Sequence, residues 1–287
     1  MRRRSFVCSL AGFSVASAAG ALGCDDPGKK SEAVAVESLD VLLPLVERDV
    51  GQVRKGVPEG AAMLQKKLPA DPAGSVQELQ KAIKDTRGAI DDLAFAKVTF
   101  FAFASPEGVV IRDETDPDRL VEQNVFKAFP ALEKAKDPKA GMVEAFGKMD
   151  AVRGVKKGED LAWVVAQGLE VDGQAKGVLV TGWSTRLWVR MLEQQLVTKL
   201  TEKAKEKGQN NVPVAYVFVV KGTEAFADPD RADELTATIA KLDVVAKTSA
   251  GDFKVAQEIE KRQFGIAARR APVLGDDAAI VVAASVF

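Results

Sequence analysis

The chain has 287 residues, of which 47% are hydrophobic and 28% charged, a composition typical of a globular protein with enough length for two domains. The formal net charge is −1, so the sequence has no excess of positive charge that would indicate binding to nucleic acid or to an anionic membrane surface. There is no histidine, and the only two cysteines are Cys8 and Cys24. These counts exclude Ser-His-Asp triads, Cys-His nucleophiles and imidazole-ligated metals, and we expect neither a cofactor nor a metal site.

The N-terminal residues are typical of an export signal. Arg2–Arg4 supply a charged region, Phe6–Leu22 form an apolar segment, and the four residues that end in Cys24 resemble a bacterial lipobox. We therefore predict a signal peptide over residues 1–23, lipidation of Cys24, and a short tether over residues 24–35.

Two further features of this signal bear on export and location. The segment Arg3–Val7 resembles the twin-arginine export motif, whereas an ordinary Sec signal would use the same arginines only for their charge. Asp25 and Asp26 follow Cys24 and resemble the signal that retains lipoproteins in the inner membrane of enteric bacteria. We expect a cell-envelope protein anchored by lipid on the periplasmic face of the inner membrane, with the outer membrane as the alternative.

Residues 36–95 are predicted to form a helical stalk. Apolar residues recur at spacings of three and four from Leu39 onward, which is typical of an amphipathic helix. Pro58 is expected to kink or interrupt this helix. Ser75–Glu78 resembles a capping box, which predicts a second helix that continues to about Phe95.

The motif Asp-Pro-Asp-Arg occurs twice, at Asp116–Arg119 and at Asp228–Arg231. Each copy follows two apolar, β-rich runs. We interpret each as a helix start in which aspartate caps the helix and proline occupies its first turn. A hairpin at Asp172-Gly173 is matched by another at Gly275-Asp276. This order of elements predicts two copies of one strand-strand-helix-strand-strand unit.

The predicted fold class is α/β (α+β), in which the helical stalk precedes two antiparallel-sheet units. The first unit spans residues 96–183 and the second residues 209–287, and a helix over residues 184–208 connects them. Within the first unit, Leu120–Phe126 and Met142–Phe146 are expected to be short helices. They make its insert longer than that of the second unit, so a ligand pocket is expected beside this insert.

Several segments resemble the Cache family of extracytoplasmic, PAS-like sensor domains. The resemblance lies in a long N-terminal helix, two strands followed by Asp-Pro, the stretch Leu120–Phe126, and the hairpin Trp163–Val180 that leads into a helix. It implies two PAS-like units over most of residues 36–287. It also implies a small metabolite bound between the sheet and the helices of the first, membrane-distal copy. The Tyr/Arg/Trp pattern of amino-acid-binding double-Cache domains is not evident in this sequence.

The candidate ligand-binding residues are Arg112, Arg153, Trp163, Gln167 and Trp183. The arginines suit a carboxylate or phosphate, because a guanidinium group can hold either through two hydrogen bonds; a solvated surface position is the alternative. The tryptophans can stack on a ligand or pack in the core. Strand alternation places Gln167 on the same face as Trp163.

The second copy offers weaker candidates, and it is expected to be chiefly structural. Its candidates are Tyr216 and the pair Arg269-Arg270. No catalytic residue is assigned, because Ser105, Glu107 and Asp113 show no spacing that supports acid–base chemistry.

These observations predict a non-enzymatic, extracytoplasmic module that binds a small molecule. With no output domain in the sequence, it is expected to act through a separate membrane-protein partner. The main alternative is a structural or assembly lipoprotein whose PAS-like units are protein-docking surfaces. An envelope hydrolase would require a cleft with Asp or Glu beside Lys. A cavity on the sheet favours the sensor, and a sheet face filled by side chains favours docking.

Overall fold

Two five-stranded antiparallel sheets and a long N-terminal helix make up the fold. The computed structural model describes residues 26–149, 160–209, 211–231 and 233–286. The expected class is confirmed: the chain is an α+β protein with two PAS-like units.

Seven α-helices lie in the described parts of the chain. They are α1 (Pro27–Lys67), α2 (Val76–Ala89), α3 (Asp91–Ala94), α4 (Val125–Ala128), α5 (Thr185–Glu206), α6 (Asp233–Ala240) and α7 (Val244–Lys247), and short 3-10 helices cover Pro130–Lys136, Pro138–Ala140, Thr248–Ala250 and Pro272–Leu274. Within these described residues, no helix has the length and apolar character that crossing a bilayer would require.

Each sheet contains five strands in the same spatial order. The first sheet contains β1 (Phe100–Ala104), β2 (Val110–Asp113), β3 (Met142–Gly147), β4 (Ala162–Val171) and β5 (Gln174–Ser184), in the order β2-β1-β5-β4-β3. The second contains β6 (Val214–Lys221), β7 (Glu224–Ala227), β8 (Phe253–Ile259), β9 (Arg262–Arg270) and β10 (Ala278–Ser285), in the order β7-β6-β10-β9-β8. The identical topology agrees with the internal duplication inferred from the sequence.

The strand count differs from the expected four per unit, because β3 and β8 were missed. Met142–Phe146 was expected to be a helix, and this is wrong: the segment is an edge strand paired with β4. All of its residues are half-buried, so burial does not alternate along this strand as it would along a strand with one buried face. Pairing with a long neighbour therefore decides its conformation rather than intrinsic propensity. The helix expected at Leu120–Phe126 is also wrong, since α4 begins only at Val125.

Helix α1 is continuous through both of its prolines. Pro44 and Pro58 lie inside it, so the interruption expected at Pro58 is wrong. A proline inside a helix costs about 3 kcal/mol. Burial of one α1 face along its length, from Ala35 to Leu64, offsets this cost. The helix begins at Pro27, so residues 27–35 of the expected short tether belong to α1.

The Asp-Pro-Asp-Arg motifs form polar turns rather than helix starts. In the first copy, the Asp118 carboxylate accepts hydrogen bonds from the backbone N–H groups of Asp113, Leu120 and Val121. In the second copy, Asp228 accepts one from Asp230 N at 2.8 Å. Helix α6 begins only at Asp233. The helix-cap interpretation is therefore corrected to one in which aspartate side chains stabilise a turn.

The other capping and hairpin expectations have mixed outcomes. Ser184 caps α5, because its hydroxyl accepts a hydrogen bond from Leu187 N at 3.2 Å. Asp172 and Gly173 form the predicted hairpin turn, both with positive φ. Ser75 lies at the start of α2 but its side chain makes no capping bond, and α2 ends at Ala89 rather than Phe95.

Helix α1 covers the inner faces of both sheets, which we define as the faces turned toward α1. One continuous hydrophobic core joins α1 with α5 and both inner faces. The opposite, outer face of each sheet has its own smaller core. In the first unit that core is completed by α4 and the 3-10 helices that follow it, and in the second unit by α6 and α7. Because the continuous core fills the inner faces, we expect a ligand cavity on one of the two outer faces.

Candidate functional site

The two tryptophans proposed for ligand stacking lie in the inner core. Trp163 and Trp183 are cross-strand partners in the β4–β5 hairpin, so they meet at its open end. Their ring centroids are 4.3 Å apart, and the Trp183 ring lies 4.6 Å from that of Trp188 on α5. All three side chains are buried. This stack joins the first sheet to α5, so packing accounts for both proposed tryptophans.

One edge of Trp163 also borders a crevice of about 310 Å³ between the two units. Its Nε1 donates to Glu144 Oε2 at 3.3 Å. Glu144 in turn accepts two hydrogen bonds from Arg54, at 2.6 and 2.8 Å. Arg54 and Glu144 are thus paired with each other, and Arg54 also donates to Val273 O of the second unit at 3.0 Å, so these contacts join the two units.

Gln167 lies on the same face of β4 as Trp163, as strand alternation predicted. Its neighbours Val165 and Leu169 belong to the inner core. Its side-chain oxygen is buried and has no hydrogen-bond partner in the described structure. Gln167 therefore faces α1 and lies on the opposite side of the sheet from the insert.

The terminal nitrogens of Arg112 pair with the first Asp-Pro-Asp-Arg motif, while its Nε–H is buried and has no hydrogen-bond partner among the described residues. The side chain forms an ion pair with Asp116 and lies 3.7 Å from a carboxylate oxygen of Asp118. Arg153 and Cys24 lie outside the described residues. A joint ligand site of Arg112, Arg153, Trp163, Gln167 and Trp183 stays a prediction, and the structure places Arg112 on the edge strand β2, with β1 between it and the strands that contain the two tryptophans and Gln167.

The outer face of the first sheet is packed with side chains. Phe126, Phe129 and Leu132 of the insert are buried against small and branched residues of the strands. Among these, Phe129 and Leu132 have no exposed surface. The described part of the insert thus forms a packed layer where a ligand pocket was expected.

The outer face of the second sheet, in contrast, contains a cavity of about 210 Å³. We call it the second-unit cavity. Its lining combines two aromatic rings, two arginines, two aliphatic side chains and one carboxylate: Tyr216, Phe264, Arg231, Arg262, Leu235, Ile259 and Glu260. Small-molecule sites in proteins have this mixture of apolar walls and a few converging polar groups.

Local structure explains how these side chains converge. Tyr216 on β6 and Phe264 on β9 flank the central strand β10, where Ala283 is the register partner of Tyr216. An alanine at this position leaves room for the two rings, whose centroids are 6.0 Å apart. Arg262 lies two residues before Phe264 and therefore points to the same face. It follows the β8–β9 turn, whose residues Glu260 and Lys261 both have positive φ.

Arg231 enters the cavity from the second Asp-Pro-Asp-Arg turn. Its guanidinium carbon lies 3.8 Å from the centroid of the Tyr216 ring, a cation–π contact. Arg231 also forms an ion pair with Glu193 on α5. Its Nε–H is buried and lacks a hydrogen-bond partner among the described residues.

Glu193 on α5 holds the Arg231 guanidinium group in place. It accepts a hydrogen bond from Val217 N at 3.1 Å as well as the ion pair. Burial raises the pKa of Glu193, although the Val217 bond and Arg231 act in the opposite direction. The carboxylate therefore lies in a region of low solvation, where it and the Arg231 guanidinium group attract each other strongly.

Arg262 is positioned by a different partner. Its Nε donates to Ser285 Oγ at 2.9 Å, and its guanidinium carbon lies 5.7 Å from the Phe264 ring centroid. Glu260 is exposed at the turn, so solvent screens its charge. The cavity consequently presents two positively charged groups over aromatic faces. Such an arrangement can bind an anion by charge-assisted hydrogen bonds.

The sequence interpretation found only part of this site. Tyr216 was a candidate, Arg231 was explained as part of a helix start, and Arg262 was not considered. The available signal was the spacing Arg262-x-Phe264, which places a cation and a ring on one strand face. The other second-unit candidate, Arg269, pairs instead with Asp252 and Asp40. No cluster of metal-ligating side chains occurs within the parts of the chain that the structure describes.

The overall fold is similar to that of one ligand-binding domain and of two extracellular domains of known structure. The ligand-binding domain of Mlp24 with asparagine has a TM-score of 0.51 and 11% identity, over 91% of this chain and 95% of that one. The extracellular domains of two proteins assigned as histidine kinases, vpHK1S-Z8 and rpHK1S-Z16, have TM-scores of 0.53 and 0.50 and identities of 9% and 12%. They cover 90% of this chain, and this chain covers 92% and 95% of them, respectively.

At such low identity this likeness concerns the fold alone. No protein-family model matches the sequence, and no curated protein matches it at a significant level. The double PAS-like architecture expected from the Cache resemblance agrees with these structures. Lipidation, the export route and the membrane partner stay predictions.

Proposed function

We propose that this protein is a non-enzymatic, extracytoplasmic sensory module that binds a small molecule in the second-unit cavity. The observation that carries the proposal is the convergence of Arg231 and Arg262 over Tyr216 and Phe264 in a cavity of about 210 Å³. The fold supports it, because similar folds occur in the domain of Mlp24 solved with asparagine and in the extracellular domains of vpHK1S-Z8 and rpHK1S-Z16.

The proposed output runs through α1 to a separate membrane protein. The start of α1 packs on the second unit, where Ser31 Oγ accepts a hydrogen bond from Val286 N at 3.2 Å. Cys24 precedes this helix by only a few residues. Lipidation at Cys24 would therefore hold the second unit, with its cavity, next to the membrane. Replacing Cys24 with Ser should release the protein from the membrane fraction, and retention of the variant there would contradict the anchor.

A thermal-shift screen tests the binding function. The chain from Asp26 onward should be mixed with a library of small polar metabolites, and its melting temperature measured. A ligand at about 100 times its Kd stabilises the folded state by about 2.7 kcal/mol, which corresponds to several degrees. If the protein melts cooperatively and no compound raises its melting temperature, the sensory function is wrong.

The packed outer face of the first unit favours a docking role for that unit. Phe129 and Leu132 fill the described part of this face, as expected for the assembly-lipoprotein alternative. A protein partner recovered by cross-linking, and lost on mutation of first-unit surface residues only, would support that alternative. Loss through second-unit cavity mutations would instead support ligand-dependent signalling.

A further inference from the structure

We infer that the second-unit cavity takes a small monocarboxylate without an ammonium group. The inference rests on the proposed function and specifies its ligand class. It starts from charge: the lining contains two guanidinium groups, that of Arg231, which is paired with Glu193 on α5, and that of Arg262, and one exposed carboxylate, Glu260. An anionic ligand complements this lining, whereas an ammonium group would meet two guanidinium groups at close range.

The hydrogen-bonding geometry favours a planar carboxylate. A guanidinium group carries five N–H donors in one plane, which match the two oxygens of a carboxylate. Arg231 uses one terminal nitrogen on Glu193 and retains a buried Nε–H that has no partner among the described residues. A ligand oxygen would satisfy this donor and remove the cost of burying it unpaired.

Size and apolar lining define the rest of the ligand. A water molecule takes about 30 Å³ of liquid volume, so a cavity of about 210 Å³ holds the equivalent of about seven. Leu235 and Ile259 are almost fully buried beside the rings. These side chains favour a short apolar chain on the carboxylate over a bare inorganic anion.

The lining disfavours an amino acid. Recognition of an α-ammonium group needs carboxylate or carbonyl acceptors inside the site. Glu193 is held by Arg231 and by the backbone of Val217, and Glu260, the one carboxylate of the lining, is exposed to solvent, which screens its charge. The second-unit cavity therefore differs in ligand class from the asparagine bound in Mlp24.

Calorimetric titration of the chain from Asp26 onward tests this assignment. The panel is acetate, propionate, pyruvate and butyrate, with propionamide, alanine and inorganic phosphate as comparisons. At least one carboxylate should bind, and the isosteric amide should bind roughly ten- to hundredfold more weakly, because it lacks the charge that the arginines recognise. If propionamide, alanine or phosphate binds as tightly as every carboxylate of the panel, or more tightly, the inference is wrong.

Matched variants locate the binding. Arg262→Gln should weaken carboxylate binding roughly ten- to hundredfold. Arg270→Gln is the control: it lies on the same strand and face, but at the far end, where it bonds to Asp276 O. It should leave the affinity unchanged. Leu235→Trp supplies an independent test, since it fills the cavity from α6 and should abolish binding without removing a cation.

The outcomes separate the inference from the proposed function. If no compound of any class binds the folded protein, both are wrong. If alanine or a neutral compound binds the parent protein but not the Leu235→Trp variant, the sensory function stands and the carboxylate assignment is wrong. If a carboxylate binds equally well to Arg262→Gln and Leu235→Trp, the second-unit cavity is not its site.

Discussion

At the scale of single residues, the two copies of one motif place their arginines differently. Arg119 is exposed in the first unit, whereas Arg231 at the corresponding motif position lies over Tyr216 and pairs with Glu193. The four motif residues are identical, so the difference arises from their surroundings. An aromatic ring on β6 and a carboxylate on α5 hold Arg231 in the second-unit cavity.

Asp113 offers a residue-level test through the pH dependence of stability. It is 2% exposed, accepts from Thr115 Oγ1 at 2.7 Å, and lies near Asp118. Burial raises its pKa, with hydrogen bonds from Thr115 and Phe101 N opposing the change. The folded state therefore binds this proton more tightly than the unfolded chain does, and the contribution of Asp113 to stability falls as pH rises through the raised pKa.

We therefore expect the Asp113→Asn variant to gain stability relative to the parent as pH increases from about 4 to about 7. The amide does not titrate, so it avoids the cost of a buried charge at the upper end of this range. Urea unfolding at several pH values measures the difference. Asp172→Asn, at an exposed hairpin turn, reports the effect of removing a carboxylate from the surface. A relative stability that declines with pH would contradict the expectation.

At the scale of elements, the close approach of β9 to α1 depends on a glycine. A Cβ built at Gly265 would lie 2.0 Å from the backbone nitrogen of Glu32 and 2.1 Å from the carbonyl carbon of Ser31. Backbone atoms of a helix cannot move aside as a side-chain end can. Gly265 thus sets the distance between the second sheet and the helix.

Gly265→Ala should lower the free energy of unfolding by about 1–3 kcal/mol or more, because it forces overpacking at this contact. Gly51→Ala in α1 is the matched control: nothing lies within 4 Å of its added Cβ. Alanine is favoured over glycine inside a helix, so this control should raise stability by about 0.5–1 kcal/mol. Chemical denaturation measures both. An undiminished stability of Gly265→Ala would show that α1 and β9 are farther apart.

At the scale of the whole molecule, α1 joins the two units into one core. Its residues pack on the inner faces of both sheets. Near its middle, Arg54 binds Glu144 of the first unit and donates to Val273 O of the second at 3.0 Å. Lys148 and Glu224 form another pair between the units at 3.5 Å. A structural change in one unit therefore acts on α1, the helix that also packs on the other unit.

This shared core leads us to expect a single cooperative unfolding transition. All three tryptophans, Trp163, Trp183 and Trp188, lie in the first sheet and α5, so no strand of the second sheet contains a tryptophan. Far-UV circular dichroism reports both units. The two urea transitions should coincide. A circular-dichroism transition that continues after the fluorescence change is complete would show that the second unit unfolds independently.

Local patterns in the sequence were enough to predict the elements whose residues alternate or repeat strongly. The apolar spacing of three and four predicted α1, the helix expected over residues 184–208 is α5, and the hairpin predicted at Asp172-Gly173 has positive φ at both positions. The repeated order of strands and turns predicted the duplicated unit. Each of these signals depends on residues that are close in sequence, and therefore on geometry that the backbone itself imposes.

Tertiary structure alone decided the remaining features. The edge strand Met142–Gly147 exists because β4 supplies its hydrogen bonds, and α1 continues through Pro58 because two sheets bury its face. The second-unit cavity joins β6, β9, α6 and the turn after β7, which are distant in sequence. No local pattern distinguishes Arg231 from Arg119, because the side chains that hold Arg231 come from other elements. The sequence determined the two units, and their packing decided which of them contains the charged cavity.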